Sequence, residues 1–242
     1  MEMRLTRTFL SRKPDDGSIF IAIFSFLVLL AIFLFSGRAL EASGILVFDK
    51  GEWWRVFTTS LMHADVMHLG HNALFFIIFA ILLKTYFGWF MFPFMSFLMG
   101  GLINLLTLTV YPKEVTLVGI SGVIYFMASF WMTSYVLIER KMKFGRRLII
   151  ATGISLALFC PDLMNLDPKV SYLAHGLGFV LGIPSALLWF AWNKKEVRDQ
   201  EIWVKKAPVN FIWEEEMEFL PPEYFEKLPA EPLNRDCVHC HK

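Results

Sequence analysis

Three cysteines in 242 residues cannot form a disulfide framework. Cys160 stands alone in an apolar stretch, and Cys237 and Cys240 lie near the C-terminus. Charge is also scarce, at 19% of residues against 56% hydrophobic, with a mean hydropathy of +0.51. That balance excludes an ordinary soluble domain and points to an integral membrane protein. A net charge of +1 supplies no basic field, which argues against nucleic-acid binding. Internal repeats are missing as well.

Where charge is missing altogether, the chain is organised into six blocks: residues 18–36, 66–83, 85–112, 115–138, 148–161 and 170–193. Crossing about 30 Å of hydrocarbon takes roughly 20 helical residues, so five of the six are long enough as they stand. The fifth block is short, but Arg146 and Arg147 at its start can snorkel and the chain can continue through Asp162 toward Met164, which lets it serve as a short or shallow helix; a re-entrant segment is the structural alternative. The expected fold is all-α: a polytopic six-transmembrane-helix bundle. Three parts follow from this: an N-terminal segment 1–17, a membrane domain 18–193 and a tail 194–242.

Lys and Arg near the block ends favour one orientation. Arg4, Arg7, Arg12, Lys13, Lys84, the run from Arg140 to Arg147 and the group Lys194, Lys195, Arg198, Lys205 and Lys206 outnumber Arg38, Lys50, Arg55, Lys113 and Lys169. The positive-inside rule then puts both termini in the cytoplasm. The first block is read as an uncleaved anchor, because its uncharged length exceeds a signal-peptide core. Between the first two blocks, residues 37–65 carry Trp53, Trp54 and Phe57, an aromatic load suited to the membrane interface. The tail carries Pro221, Pro222, Pro229 and Pro232, an acidic run at 214–216 and too little apolar content for its own core. Its Cys237-Val238-His239-Cys240-His241 string offers Cys237, His239, Cys240 and His241 as zinc ligands, but crowds them too closely to wrap one tetrahedral ion without a turn or a partner chain.

A strongly polar side chain is costly within hydrocarbon unless it faces protein or water. Those in the blocks cluster at one depth on the expected topology: His63, His68, His71 and Asn72 near the start of the second block, Ser121 and Tyr125 in the fourth, and His175 in the sixth. Asn104, deeper in the third block, reads as a helix–helix hydrogen bond. Ser121 between Gly119 and Gly122 is a candidate nucleophile, although small residues of that kind also serve helix packing. His175 is a candidate base, carried on a stripe of Ala174, Gly178, Gly182 and Ala186 that suits close packing against a neighbour. The blocks contain no Asp or Glu, so a Ser-His dyad is the available form. Tyr125 is four residues from Ser121 and shares its helix face, where its ring can pack on an imidazole. His68 and Asn72 share a face in the same way and can aim two N–H donors at one oxyanion. The rival use of His63, His68 and His71 is a zinc site, for which Asn72 is a poor ligand and no carboxylate or thiolate stands nearby.

Trp54-Arg55, His63, His68-x-x-x-Asn72, Gly119-x-Ser121-Gly122 with Tyr125, and Ala174-His175 with Gly178 and Gly182 together resemble the rhomboid intramembrane serine proteases. The resemblance implies a six-helix fold around a water-accessible cavity, with Ser121 as nucleophile and His175 as general base and acid. It implies that Tyr125 supports the His175 ring, that His68, Asn72 and the Ser121 amide, beside Gly119, stabilise the oxyanion, and that Trp54 and Arg55 belong to a membrane-embedded loop. Substrates would be other membrane proteins with a transmembrane helix, cut without any cofactor, in a setting such as a bacterial inner membrane. Lys84 stands where many relatives have Glu, and Thr59 where some have His; both lie outside the proposed chemistry. A non-catalytic relative that binds or escorts membrane helices is the alternative within the same fold.

Overall fold

Uncharged stretches of this length must satisfy their backbone amides internally, and they do so as helices. The computed structural model describes residues 3–164 and 170–205, with backbone alone for 158–164. The Cys160 side chain, Lys169, the acidic run and the Cys237–His241 cluster lie outside the described residues. The helices belong to one unit, Met3–Val204.

A short strand β1 (Met3–Arg7) leads into α1 (Asp16–Phe35), which Asp15 caps by accepting from the Ser18 amide at 2.6 Å. The connection that follows holds strand β2 (Ala42–Ser43) and a single turn, α2 (Arg55–Thr58). Next come α3 (Val66–Trp89), α4 (Ser96–Val110), strand β3 (Thr116–Leu117) and α5 (Ser121–Ile138). The chain continues through α6 (Phe144–Met164), α7 (Tyr172–Asp199) and strand β4 (Ile202–Lys205), which pairs with β1.

By length and composition, four stretches can cross a membrane: Asp16–Phe35, Val66–Val110, Ser121–Ile138 and Tyr172–Asp199. The 45-residue stretch is two helices, because Gly88 at φ 74° and an extended Phe92 break the helical path between α3 and α4. The fold is thus an all-α polytopic membrane bundle.

Several block boundaries move. Helix α3 continues through Lys84 to Trp89, and α4 starts only at Ser96. The block 115–138 becomes helical only at Ser121, since residues 116–117 pair with β2 and Gly119 adopts φ +115°. Helix α6 starts at Phe144 and runs 21 residues, so the fifth block is longer than its uncharged core. Its Arg147 turns back to the Val136 carbonyl at the end of α5, and so the charge does not stop the helix. Helix α7 continues past residue 193 to Asp199, where Lys194, Lys195, Glu196 and Arg198 extend it as a polar segment.

Within the bundle α5 is the central helix: 72% of its span window is buried, against 17% for α1. Its closest neighbour is α7. A Cβ on Gly178 would overlap the Gly122 carbonyl oxygen and lie 3.2 Å from the Phe126 amide nitrogen. A Cβ on Gly182 would meet Ser129 Oγ and the Phe126 carbonyl oxygen. The two helices therefore run in the same direction with their backbones in contact, and the small-residue stripe is what permits it. Ala174 and Ala186 complete the buried face. Gly178→Ala should cost roughly 1–3 kcal/mol by overpacking. Gly176→Ala, where the added Cβ meets nothing within 4 Å, should be tolerated. Thermal unfolding of both variants in detergent checks the contrast.

Candidate active site

The contact between α5 and α7 sets two residues beside one cavity. Ser121 is the first residue of α5, and His175 lies in the first turn of α7, where Ser171 caps the helix by accepting from the Ala174 amide at 3.3 Å. Both line a cavity of about 410 Å³ together with His68, Asn72 and Tyr125. Ile124, Phe75, Leu74, Ala157 and Val170 supply apolar wall, and exposed His71 sits at its edge.

Each polar side chain has a local reason for its position. Tyr125 stacks on the His175 ring, with centroids 4.2 Å apart and planes 22° from parallel. Tyr172 meets the same imidazole edge-on at 6.2 Å. Across the cavity, Asp65 caps α3 by accepting from the His68 amide at 2.8 Å, which places His68 in the first turn and Asn72 one turn further on the same face. Asn72 is 9% exposed, and its Nδ2 has no hydrogen-bond partner among the described residues. A buried amide donor left in that state is costly unless a ligand or water accepts from it.

Gly119 brings the two sides together. A Cβ there would lie 2.9 Å from His68 Cε1 and 3.8 Å from Ser121 Oγ, and its φ of +115° is one that side-chain-bearing residues rarely adopt. The segment before Ser121 is held from below by Thr59, which is fully buried. Its hydroxyl donates to the Leu117 carbonyl, and its own carbonyl accepts from the Gly119 amide at 3.2 Å. Strand pairing of Ala42 with Leu117 and Ser43 with Thr116 fixes the same segment from the other side. Asn104 donates to the Val56 carbonyl at 2.8 Å and to Ser60 Oγ at 2.9 Å, tying α4 to the turn that carries Thr59.

These supporting residues were not read as part of the site from sequence. For Thr59 the pairing is non-local and leaves no periodic signal, whereas the Asp65-x-x-His68 spacing is a legible cap. Trp54 and Arg55 do not line the cavity. Arg55 instead clasps the connection between α1 and α3: its Nε donates to Glu52, its Nη1 donates to the Ala39 and Glu41 carbonyls at 2.7 and 2.8 Å, and its guanidinium lies 4.4 Å above the Trp54 ring. Among the described residues no three His, Cys, Asp or Glu side chains converge as a metal-binding set.

A family model described as Rhomboid domain matches residues 50–192. The chain belongs to the rhomboid family. The matched region contains every residue that lines the cavity and also Arg55 with Glu52, while α1, the clasp's acceptors Ala39 and Glu41, and residues 193–242 lie outside it.

In this rhomboid His63 is buried behind His68, its ring 5.4 Å away and at 72° to it. Burial, reinforced by repulsion from His68, pushes the His63 imidazole from 6.5 down to about 4. The folded protein thus binds fewer protons here than the unfolded chain between those values, and stability is lost as pH falls from 6.5 toward 4. This group accounts for roughly 2–3 kcal/mol across that window. His63→Phe should remove this contribution, so that its unfolding temperature falls less steeply than the parent's between pH 6.5 and 4, read by thermal melts at each pH.

Proposed function

We propose that this rhomboid is an intramembrane serine endopeptidase using Ser121 and His175 as a dyad. The observation that carries the reading is one cavity bordered at once by a hydroxyl, an imidazole stacked on a tyrosine, and a buried amide donor with no partner among the described residues. In the proposed reaction His175 takes the proton from Ser121 Oγ as that oxygen attacks the scissile carbonyl. The negative oxygen that develops would be met by the His68 N–H, the Asn72 Nδ2–H and the Ser121 amide. The last is available because the first amides of a helix have no intrahelical acceptor. Collapse of this intermediate gives the leaving amine the proton held by His175 and leaves an ester on Ser121. Water, deprotonated by His175, then hydrolyses the ester.

The proposed substrates are membrane proteins with a transmembrane helix. A helical peptide bond is hydrogen-bonded and sterically covered, so the substrate must unwind locally before Ser121 can reach it. Small side chains at the cut and helix-weakening residues near it would ease that step. We place both termini in the cytoplasm and the enzyme in a membrane such as the bacterial inner membrane, as the distribution of Lys and Arg favours. On the same reading residues 1–17 and 194–242 flank the membrane domain on the cytoplasmic side.

Co-expression with a reporter-tagged transmembrane substrate tests the proposal. The parent should cleave, and Ser121→Ala and His175→Ala should abolish cleavage at matched membrane abundance. Asn72→Ala should slow it by about 10²–10³-fold through loss of one oxyanion donor. Cleavage that survives Ser121→Ala would contradict the mechanism.

A further inference from the structure

A second groove lies in the half of the bundle away from Ser121, bounded by α5, α6 and α7. Its volume is about 400 Å³. Among the described residues α6 packs on α5 but stands off α7, and the gap opens along Ser129 to Leu137 on α5 and Phe179 to Leu187 on α7. Each edge is about 12 Å long at 1.5 Å per residue. One leaflet of hydrocarbon is about 15 Å thick, so the groove matches the depth of a single leaflet. Its two serines are turned inward: Ser155 Oγ donates to the Ala151 carbonyl at 2.8 Å and Ser129 Oγ to the Phe126 carbonyl at 3.4 Å. Apart from Thr133 and Thr152 the remaining wall is apolar, and exposed Leu148 and Leu187 rim the opening.

Positive charge collects at the groove's far mouth, in the turn between α5 and α6. Lys141, Lys143 and Arg146 are exposed there, and Arg147 stands on the face of α6 that carries Phe144, Leu148 and Ala151. The Arg147 guanidinium reaches the carbonyl of Val136, a groove residue, and lies 5.5 Å above the ring of Phe144, another. Its Nε is buried without a hydrogen-bond partner among the described residues. The nearest acid in the turn, Glu139, is buried and already accepts from Thr8 Oγ1 and the Lys141 amide, each at 3.0 Å. Lys141 Nζ is engaged with Ser11 Oγ at 2.8 Å. Among the described residues Lys143, Arg146 and Arg147 form no ion pair.

We infer that this groove holds one acyl chain of an anionic phospholipid, whose phosphate sits between Arg147 and Lys143 at the start of α6. The occupant follows from three features of the groove: a wall that faces hydrocarbon, a depth of one leaflet, and uncompensated cations at the level where that leaflet's headgroups lie. Basic residues between transmembrane helices recognise acidic headgroups in this way, and a guanidinium suits a phosphate. The unsatisfied amides of the first turn of α6 add donors on the same side. A lipid seated there would brace α6 against α7, where the protein itself leaves a gap. The site is separate from the Ser121 cavity and does not depend on the proteolytic reading.

Native mass spectrometry of the full chain in nonionic detergent, titrated with phosphatidylglycerol or with phosphatidylcholine of the same acyl chains, tests the inference. The parent should retain one phosphatidylglycerol about tenfold or more tightly than phosphatidylcholine. Lys143→Gln with Arg147→Gln should remove that preference. Thr152→Trp, which adds bulk at an exposed groove residue, should lower retention of both lipids. Arg146→Gln removes the same charge two residues round the helix from Phe144 and should leave the preference intact. If the double variant does not fold, Lys143→Gln alone and Thr152→Trp decide the matter. Equal retention of the two lipids, unchanged binding in Thr152→Trp, or a loss in Arg146→Gln as large as in Lys143→Gln would overturn the site.

Discussion

The backbone contact between α5 and α7 is the constraint on which the site depends. Hydrocarbon offers helices no hydrophobic reward for associating, so they are held by close packing and by polar groups that find one another. Here the packing comes from glycine on both sides: Gly178 against the Gly122 carbonyl, and Gly182 against the turn from Phe126 to Phe130. Two helices in such contact have little freedom to slide or rotate. Residues at their adjoining ends, Ser121 and His175, inherit that fixity without a loop of their own to hold them. A methyl group at the contact would separate the helices and move both residues together.

A second layer of constraint acts on the approach to Ser121. The segment 115–120 is uncharged and could have extended α5, yet strand pairing with 42–43, the Thr59 hydrogen bonds and the positive φ of Gly119 hold it out of the helix. The result is a helix that starts at the serine, with its first amides directed outward. On the opposite wall, the Asp65 cap fixes where α3 begins and so where His68 and Asn72 stand. Helix starts, rather than flexible loops, position the polar groups of the cavity. This economy suits a membrane interior, where irregular backbone is tolerated only when it is covered or wet.

How much of this was legible depended on the range of the interaction. The blocks follow from where charge is missing, and the shared end of Ser121, Tyr125, His175, His68 and Asn72 from the topology those blocks imply. The pairing of Ser121 with Tyr125 and of His68 with Asn72, and the small-residue stripe on α7, follow from a spacing of four residues, which sequence displays directly. The stack of Tyr125 on His175 accords with the i, i+4 reading of Ser121 and Tyr125. The role of Thr59 is not legible, because its bond to Leu117 joins residues far apart in the chain and two-residue strands carry no pattern. The start of α5 at Ser121, inside the uncharged block, is hidden from sequence for the same reason. The place of Arg55 in a loop motif is legible through the family resemblance, whereas its contacts with the Ala39 and Glu41 carbonyls, which make it a clasp, depend on how that loop turns. The groove beside α6 has no sequence signature, since it arises from where α6 stands relative to α7.

The central claim is that packing of α5 on α7 turns an ordinary serine into a nucleophile by setting it against His175. Reaction of the detergent-solubilised protein with a serine-directed fluorophosphonate, followed by peptide mapping, tests that claim without choosing a substrate. A single adduct on Ser121, absent in His175→Ala, is the expected result. No adduct on Ser121, or labelling undiminished in His175→Ala, would contradict it.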